Sequence, residues 1–217
     1  GNRRDAWAYG AIDPNSATAA MMEVVKAFGN LLKNDGYRPK RSLMFCSLAA
    51  EEYGLIGSYE MVEQLQHYLT QKGVVYLNID LTVAGNTTFM AWGSPHLRKV
   101  MYQSASYVDN PLPSQPFNNL LENWIAMDPN PNDKTQSNFI PLGSGSDFQP
   151  FIQLAGIASV DFWYNGPSDY SGYSLYHSMY ETYYAVENLI DRGFHCTAAL
   201  TKMWIELGRA FSDSTIL

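Results

Sequence analysis

Apolar residues recur at helical spacing through residues 15–34, where Ala19, Met22, Val25, Ala27, Phe28, Leu31 and Leu32 form a stripe. Asp13-Pro14-Asn15-Ser16 opens that helix and Gly36 closes it. The pattern then changes. Residues 42–48 are a largely apolar run, as in a strand buried on both faces. The run is followed by two adjacent acids, Glu51 and Glu52, and Gly54 and Gly57 lead into a second helix over 54–69. Residues 74–79 form another buried strand, which ends on Asp80. A shorter strand over 87–92, possible at an edge, precedes a helix over 95–107. A short helix over 148–154, a strand over 157–162 and a last helix from 191 to about 211 complete the series. Strands alternating with helices through short connections predict an α/β fold, with a mixed, mainly parallel sheet flanked by helices. Two stretches break the pattern. Residues 1–14 read as a loop, and residues 109–145 are rich in Pro, Asn and Ser, with Trp124 and Ile125 as isolated anchors. Long irregular stretches inside a compact domain are commonly functional.

In an α/β sheet, polar groups at the carboxyl ends of parallel strands gather in one crevice. Glu51, Glu52 and Asp80 are placed in this way. Like charges that close repel, and a bound cation is the simplest compensation. Asp13, and His177 in Leu175-Tyr176-His177-Ser178, add the oxygen and nitrogen donors that a catalytic zinc site needs. The plainer alternative makes Asp13 a helix cap, Glu51 and Glu52 ordinary helix-start acids, and His177 a hydrogen-bonded structural residue. Spacing alone leaves both readings open.

Composition narrows the classes. The chain has 217 residues, 46% hydrophobic and 16% charged, which suits one sizeable globular domain. Its formal net charge is -7 and it has no basic cluster, which argues against nucleic acid or an anionic membrane surface as partner. Of the 15 tyrosines many fall between 162 and 184, fit for an aromatic cleft or for a core. Cys46 and Cys196 lack metal-ligand spacing and read as buried thiols. The chain begins on Gly1-Asn2-Arg3, which reads as the exit of a strand. The expectation is a fragment of a longer protein, lacking the first strands.

Six segments carry a resemblance. They are Gly1-Asn2-Arg3-Arg4-Asp5-Ala6-Trp7, Ala11-Ile12-Asp13-Pro14, Ala49-Ala50-Glu51-Glu52-Tyr53-Gly54-Leu55-Ile56-Gly57-Ser58, Tyr76-Leu77-Asn78-Ile79-Asp80, Leu142-Gly143-Ser144-Gly145-Ser146-Asp147-Phe148 and Leu175-Tyr176-His177-Ser178. In that order they resemble the glutamate carboxypeptidase II (N-acetylated-alpha-linked acidic dipeptidase) group of dinuclear zinc exopeptidases. The resemblance implies two zinc ions bridged by Asp13, with Glu52 and His177 on one and Asp80 on the other. It implies Glu51 as general base, Tyr176 as donor to the oxyanion, and Asp5 as a residue that orients a ligand. Gly143, Ser144 and Gly145 would line the substrate cleft through their backbone. Glu60 and Glu63 match positions that hold a structural calcium in the family, and the plain reading of them is two exposed acids on one helix face. Asn86-Thr87-Thr88 matches a glycosylation sequon of the family. Small peptide substrates, a homodimer and an extracellular or cell-surface place on a type II anchor outside these residues are implied as well. So is the absence here of the protease-associated domain and most of the C-terminal dimerisation domain, residues 1–217 being peptidase domain.

Two departures stand out. Arg3 occupies a position where the family has a zinc-ligand histidine, and arginine has no lone pair to give. Its guanidinium is expected to pair with Asp80 or Asp13, leaving one zinc or none. A catalytically impaired receptor or scaffold, like the transferrin receptor branch, is therefore the alternative to an active exopeptidase. In place of the family's arginine patch for acidic side chains stand Met90, Asp161 and Trp163. That substitution predicts neutral rather than acidic substrates, with Asp161 repelling an acidic one.

Overall fold

The computed structural model describes residues 1–166 and 173–214. Its strands are β1 (Asn2–Arg3), β2 (Ser47–Leu48), β3 (Tyr76–Asn78), β4 (Thr88–Gly93) and β5 (Ser159–Asn165). Its helices are α1 (Asn15–Asp35), α2 (Ile56–Lys72), α3 (Arg98–Ser106), α4 (Leu120–Met127), α5 (Phe148–Gln153), α6 (Tyr183–Ala185) and α7 (His195–Asp213). β1 and β2 pair in parallel. β5 lies between β3, parallel to it, and β4, antiparallel to it. The α/β class and the helical flanks agree with the sequence. The antiparallel rim strand is β4, the strand read as an edge.

The core lies on both faces of the strands. One cluster joins Val24 and Phe28 of α1, Leu200 and Met203 of α7, and Val160 and Phe162 of β5. A smaller one joins Val62 and Leu69 of α2, Phe148 and Phe151 of α5, and Tyr76 of β3. Both cysteines are buried and free. Among the described residues no helix is long and apolar enough to cross a membrane.

Four expectations need correction. The buried stripe of α1 is Ala17, Ala20, Met21, Val24 and Phe28, whereas Met22 is 67% exposed. Both sets keep the helical period, and periodicity does not say which apolar face finds a partner. Residues 1–14 are not all loop, because Asn2 and Arg3 pair with β2. Within 109–145, the anchors Trp124 and Ile125 belong to α4. The Asn119 side chain caps that helix by accepting from the Glu122 N–H, and Trp124 is fully buried. Residues 42–48 and 74–79 are regular strands only at Ser47–Leu48 and Tyr76–Asn78. The Tyr/Ser/Gly-rich run over 164–173 lies largely outside the described residues.

The turn from β2 into α2 positions two of the acids. Ala50 adopts a left-handed backbone at φ 55°, a conformation that costs a non-glycine residue on the order of 1 kcal/mol. Gly57 is needed for close approach, since a Cβ there would collide with the backbone of Ala49.

Candidate active site

Asp13, Glu51, Glu52, Asp80, His177 and Arg3 come together at the ends of β1, β2 and β3, far apart as they are along the chain. Asp13 does not cap α1, since no side chain does. Glu51 and Glu52 precede α2 and turn inward, with Glu51 7% exposed.

Arg3 stands at the centre, its side chain 2% exposed. Nη2 pairs with Asp13 Oδ1, and Nη1 with Glu51 Oε2. Nη1 is also 2.9 Å from Glu52 Oε1, and Nε is 2.9 Å from Asp80 Oδ1. One guanidinium thus faces four carboxylates, a formal excess of three negative charges when all are ionised. The protonation equilibria reflect that excess. Burial pushes Asp13 up to about 7, against the lowering pull of Arg3. Burial also pushes Asp80 up to about 7 against Arg3. Glu51 is pushed up to about 9 by burial and then by the Asp80 charge. The four carboxylates hold the Arg3 proton more tightly still, despite its own desolvation.

His177 lies opposite. Its Nε2 is 3.1 Å from Glu52 Oε2 and 3.5 Å from Asp13 Oδ2. That nitrogen is buried and has no hydrogen-bond partner. A lone pair aimed at carboxylate oxygens is unfavourable unless a proton or a cation lies between them. One donor atom each from Asp13, Glu52 and His177 lie within 4.8 Å of one another. Two oxygens and a nitrogen suit zinc, whose catalytic sites take three protein ligands and leave the fourth position to water. The residues present therefore fit a zinc ion on this side. On the other side Arg3 offers only donors.

Several residues hold the arrangement. The Asp5 carboxylate accepts from the backbone N–H of Glu51 at 3.2 Å and of Glu52 at 3.1 Å. The Trp7 N–H donates to Glu52 Oε1 at 3.1 Å. Tyr176 stacks on the His177 ring with centroids 3.7 Å apart, and Trp7 stacks on it at 5.4 Å. Burial, with Asp13 and Glu52 nearby, raises the Tyr176 hydroxyl to about 12. Sequence reasoning missed Glu181, whose Oε1 accepts the Asp13 N–H at 2.6 Å and whose carbonyl accepts from Ala11. Its signal was an acid four residues beyond His177. It also missed Asn2, which donates to the carbonyls of Ile79 at 2.9 Å and Asp80 at 3.1 Å and so ties β1 to β3.

Other expected residues make none of these ion pairs. Gly143, Ser144 and Gly145 are exposed ahead of α5. Glu60 and Glu63 are exposed on α2, and no three-ligand group includes them among the described residues. Asn86 is exposed, as a sequon asparagine must be. Met90 and Trp163 are half-buried and pair across β4 and β5. Asp161 is 9% exposed. Burial, and then Asp80, push it up to about 7.

The fold resembles BSAP, a zinc aminopeptidase from Bacillus subtilis, with a TM-score of 0.70 at 19% identity, over 100% of this chain and 46% of that one. It also resembles an aminopeptidase from Aneurinibacillus sp. strain AM-1, with a TM-score of 0.65 at 16% identity, over 100% and 44%. In sequence the chain is 36% identical to a glutamate carboxypeptidase 2 homolog from Caenorhabditis briggsae, across 100% of this chain and 28% of the relative. It is 35% identical to aminopeptidase NAALADL1 from Rattus norvegicus, across 100% and 30%. The chain thus spans less than a third of the length of these curated relatives. The motif resemblance is borne out over its whole length. Residues 3–195 match the profile of Peptidase family M28, and the chain belongs to that family.

Proposed function

We propose that the chain carries the catalytic core of a zinc-dependent exopeptidase, with one zinc ion held by Asp13, Glu52 and His177. The observation that carries this reading is the unpartnered His177 Nε2 set against the oxygens of Asp13 and Glu52. When bound, zinc supplies a Lewis acid for the scissile carbonyl and lowers the pKa of water. The rest of the chemistry falls to the chain's own groups. Arg3 holds Glu51 by Oε2, leaving Oε1 to accept a proton from the attacking water and return it to the leaving amine. Glu51 must be ionised for this, and a neighbouring cation opposes the burial that keeps it protonated. The Tyr176 hydroxyl, titrating near 12, stays a donor at neutral pH and suits a developing oxyanion.

A neutral peptide suits the site better than an acidic one. Arg3, the cation at its centre, is already shared among four carboxylates. Homodimerisation, glycosylation at Asn86 and an extracellular or membrane-anchored setting belong to the same reading and rest on the sequence resemblance. So do calcium at Glu60 and Glu63 and a cleft lined by Gly143, Ser144 and Gly145.

Metal counting after dialysis against zinc tests the proposal. We expect one tightly held zinc per chain, lost in His177→Ala. Two zinc ions would overturn the single-site reading, and none would overturn the enzyme reading. Arg3 itself favours a second reading, a receptor or scaffold relative with little activity. Dipeptide hydrolysis with and without chelator separates the two, with a neutral dipeptide expected to be cleaved faster than an acidic one.

A further inference from the structure

Two of the three proposed zinc ligands sit on loops that come from distant parts of the chain. Asp13 lies in a tight turn that Gly10 makes possible. Gly10 has φ 62°, the Asn15 N–H donates to its carbonyl at 2.9 Å, and a Cβ there would come within 2.7 Å of the Asp13 carbonyl oxygen. His177 has a left-handed backbone at φ 56°, which a non-glycine residue keeps only where its surroundings hold it. Neither ligand belongs to a helix or a strand, so no regular element fixes its direction.

Packing does not close the seam between the two loops. A cavity of about 570 Å³ is lined by Ala11, Asn15 and Ser16 of the first segment and by Thr182, Tyr183 and Val186 of the second. Among the described residues, the hydrogen bonds that cross the seam end on Glu181. Its Oε1 accepts the Asp13 N–H at 2.6 Å, and its carbonyl accepts the Ala11 N–H at 3.2 Å. Burial raises the Glu181 carboxyl, while the amides of Asp13, His177 and Ile12, which lie against it, favour its charged form. One side chain, 2% exposed, thus faces the backbone amides of both ligand residues. Its own place is fixed in turn. The Glu181 N–H donates to the Ser178 carbonyl at 3.3 Å, and the next residue, Thr182, caps α6 by accepting the Ala185 N–H.

We propose that Glu181 is a positioning residue for the metal site, setting the spacing of Asp13 and His177 through their backbone amides. The proposal rests on the zinc reading above. A carboxylate suits the task because it only accepts, so every amide of the seam meets an oxygen. An ionised acceptor also makes shorter and stronger bonds than a neutral one. A Glu181 that merely caps a loop would support folding and leave the geometry of the ligands alone, and the two roles differ in what a bound metal reports.

The test compares Glu181→Met, which keeps the length and removes the acceptor, with Glu181→Gln, which keeps an oxygen for the Asp13 amide. Leu200→Ala, in the core, is the control for lost stability alone. Zinc affinity, read by competition with a chromophoric chelator, should fall about 10–100-fold in Glu181→Met and recover most of that loss in Glu181→Gln. With cobalt in place of zinc, the visible spectrum reports ligand geometry and should shift in Glu181→Met alone. In the metal-free chain the His177 ring resonances should move in Glu181→Met and hold in the other two. Where Glu181→Met does not fold, Glu181→Asp takes its place: the charge and the acceptor stay, the reach shortens by one methylene, and the cobalt spectrum should again shift. Unchanged affinity and unchanged His177 resonances would overturn the proposal. So would an equal loss of affinity in Leu200→Ala, since general loosening would then account for it. A parent chain that takes up no metal would sink the zinc reading instead, and the His177 resonances would then decide whether Glu181 sets the spacing of the loops.

Discussion

The two ends of the acidic cluster use the same kind of carboxylate and opposite kinds of nitrogen. At one end the His177 imidazole stands 3.1 Å from Glu52 and 3.5 Å from Asp13, with a buried nitrogen that bonds to nothing. At the other the Arg3 guanidinium fills its surroundings with ion pairs to Asp13, Glu51, Glu52 and Asp80. Imidazole can give a lone pair to a metal, and guanidinium cannot. Charge compensation and metal ligation, one task in a two-metal site, are therefore separated here. Arg3 supplies positive charge without a lone pair, and His177 carries the lone pair that the proposed zinc would take.

The largest test removes the charge. Arg3→Leu leaves four buried or half-buried carboxylates without their cation, and unpairing a buried ion costs about 3–5 kcal/mol. We expect a loss of that order in urea unfolding at pH 7 with chelator present. Arg3→His makes the Arg3 end resemble the His177 end, and zinc stoichiometry should rise from one towards two. If it stays at one, the ends differ by more than the nitrogen they carry.

The next effect is on pH. Asp13 and Asp80 titrate near 7 and Glu51 near 9 in the folded chain, against about 4 when unfolded. These groups hold protons more tightly when folded. Their contribution to stability is complete below about pH 4 and is lost as pH rises through about 7 to 9. The metal-free melting temperature should therefore fall between about pH 4 and about pH 9. Zinc replaces those protons with a cation, so the loaded chain should show a flatter profile. A metal-free profile that rises over the same range would mean that Arg3 alone compensates the cluster.

How much of this the sequence showed differs by level. The acids and His177 were legible because strand ends gather polar groups and because their motifs recur in order. The pairing of Arg3 with Asp80 and Asp13 followed from its missing lone pair. Its contacts with Glu51 and Glu52 did not, since nothing local says how far a side chain reaches across three strands. Glu181 was hidden because it holds Asp13 through a backbone amide, and such a bond leaves no pattern in composition. α4 was hidden among Pro and Asn residues, where a helix of eight residues shows barely two turns of periodicity. The rotated face of α1 was ambiguous for the opposite reason, because apolar residues cover more than one side of it.

A smaller test concerns Asp5, which accepts from the amides of both Glu51 and Glu52 and so serves both ends. Asp5→Asn keeps the shape and weakens that grip. Residues that orient metal ligands are typically worth 10–100-fold in affinity, and about that loss of zinc binding is expected from competition with a chromophoric chelator. Unchanged affinity would place the support of Glu52 elsewhere, in the Trp7 amide and the Arg3 guanidinium that both reach its Oε1.

The smallest expected effect isolates the His177 end. Trp7 lies parallel to the imidazole within 10°, with centroids 5.4 Å apart, and is itself 55% exposed. Little of its contribution can come from burial, and stacking of this kind is worth about 0.5–1.5 kcal/mol. Trp7→Leu keeps the backbone amide that bonds Glu52 and removes only the ring. Zinc binding should weaken by about two- to tenfold, since 1.4 kcal/mol is a factor of ten. The metal-free chain should unfold at nearly the same urea concentration as before, because the Arg3 ion pairs are untouched. If instead Trp7→Leu costs the metal-free chain as much as Arg3→Leu does, the two ends are one mechanical unit, and the separation of charge from ligation fails.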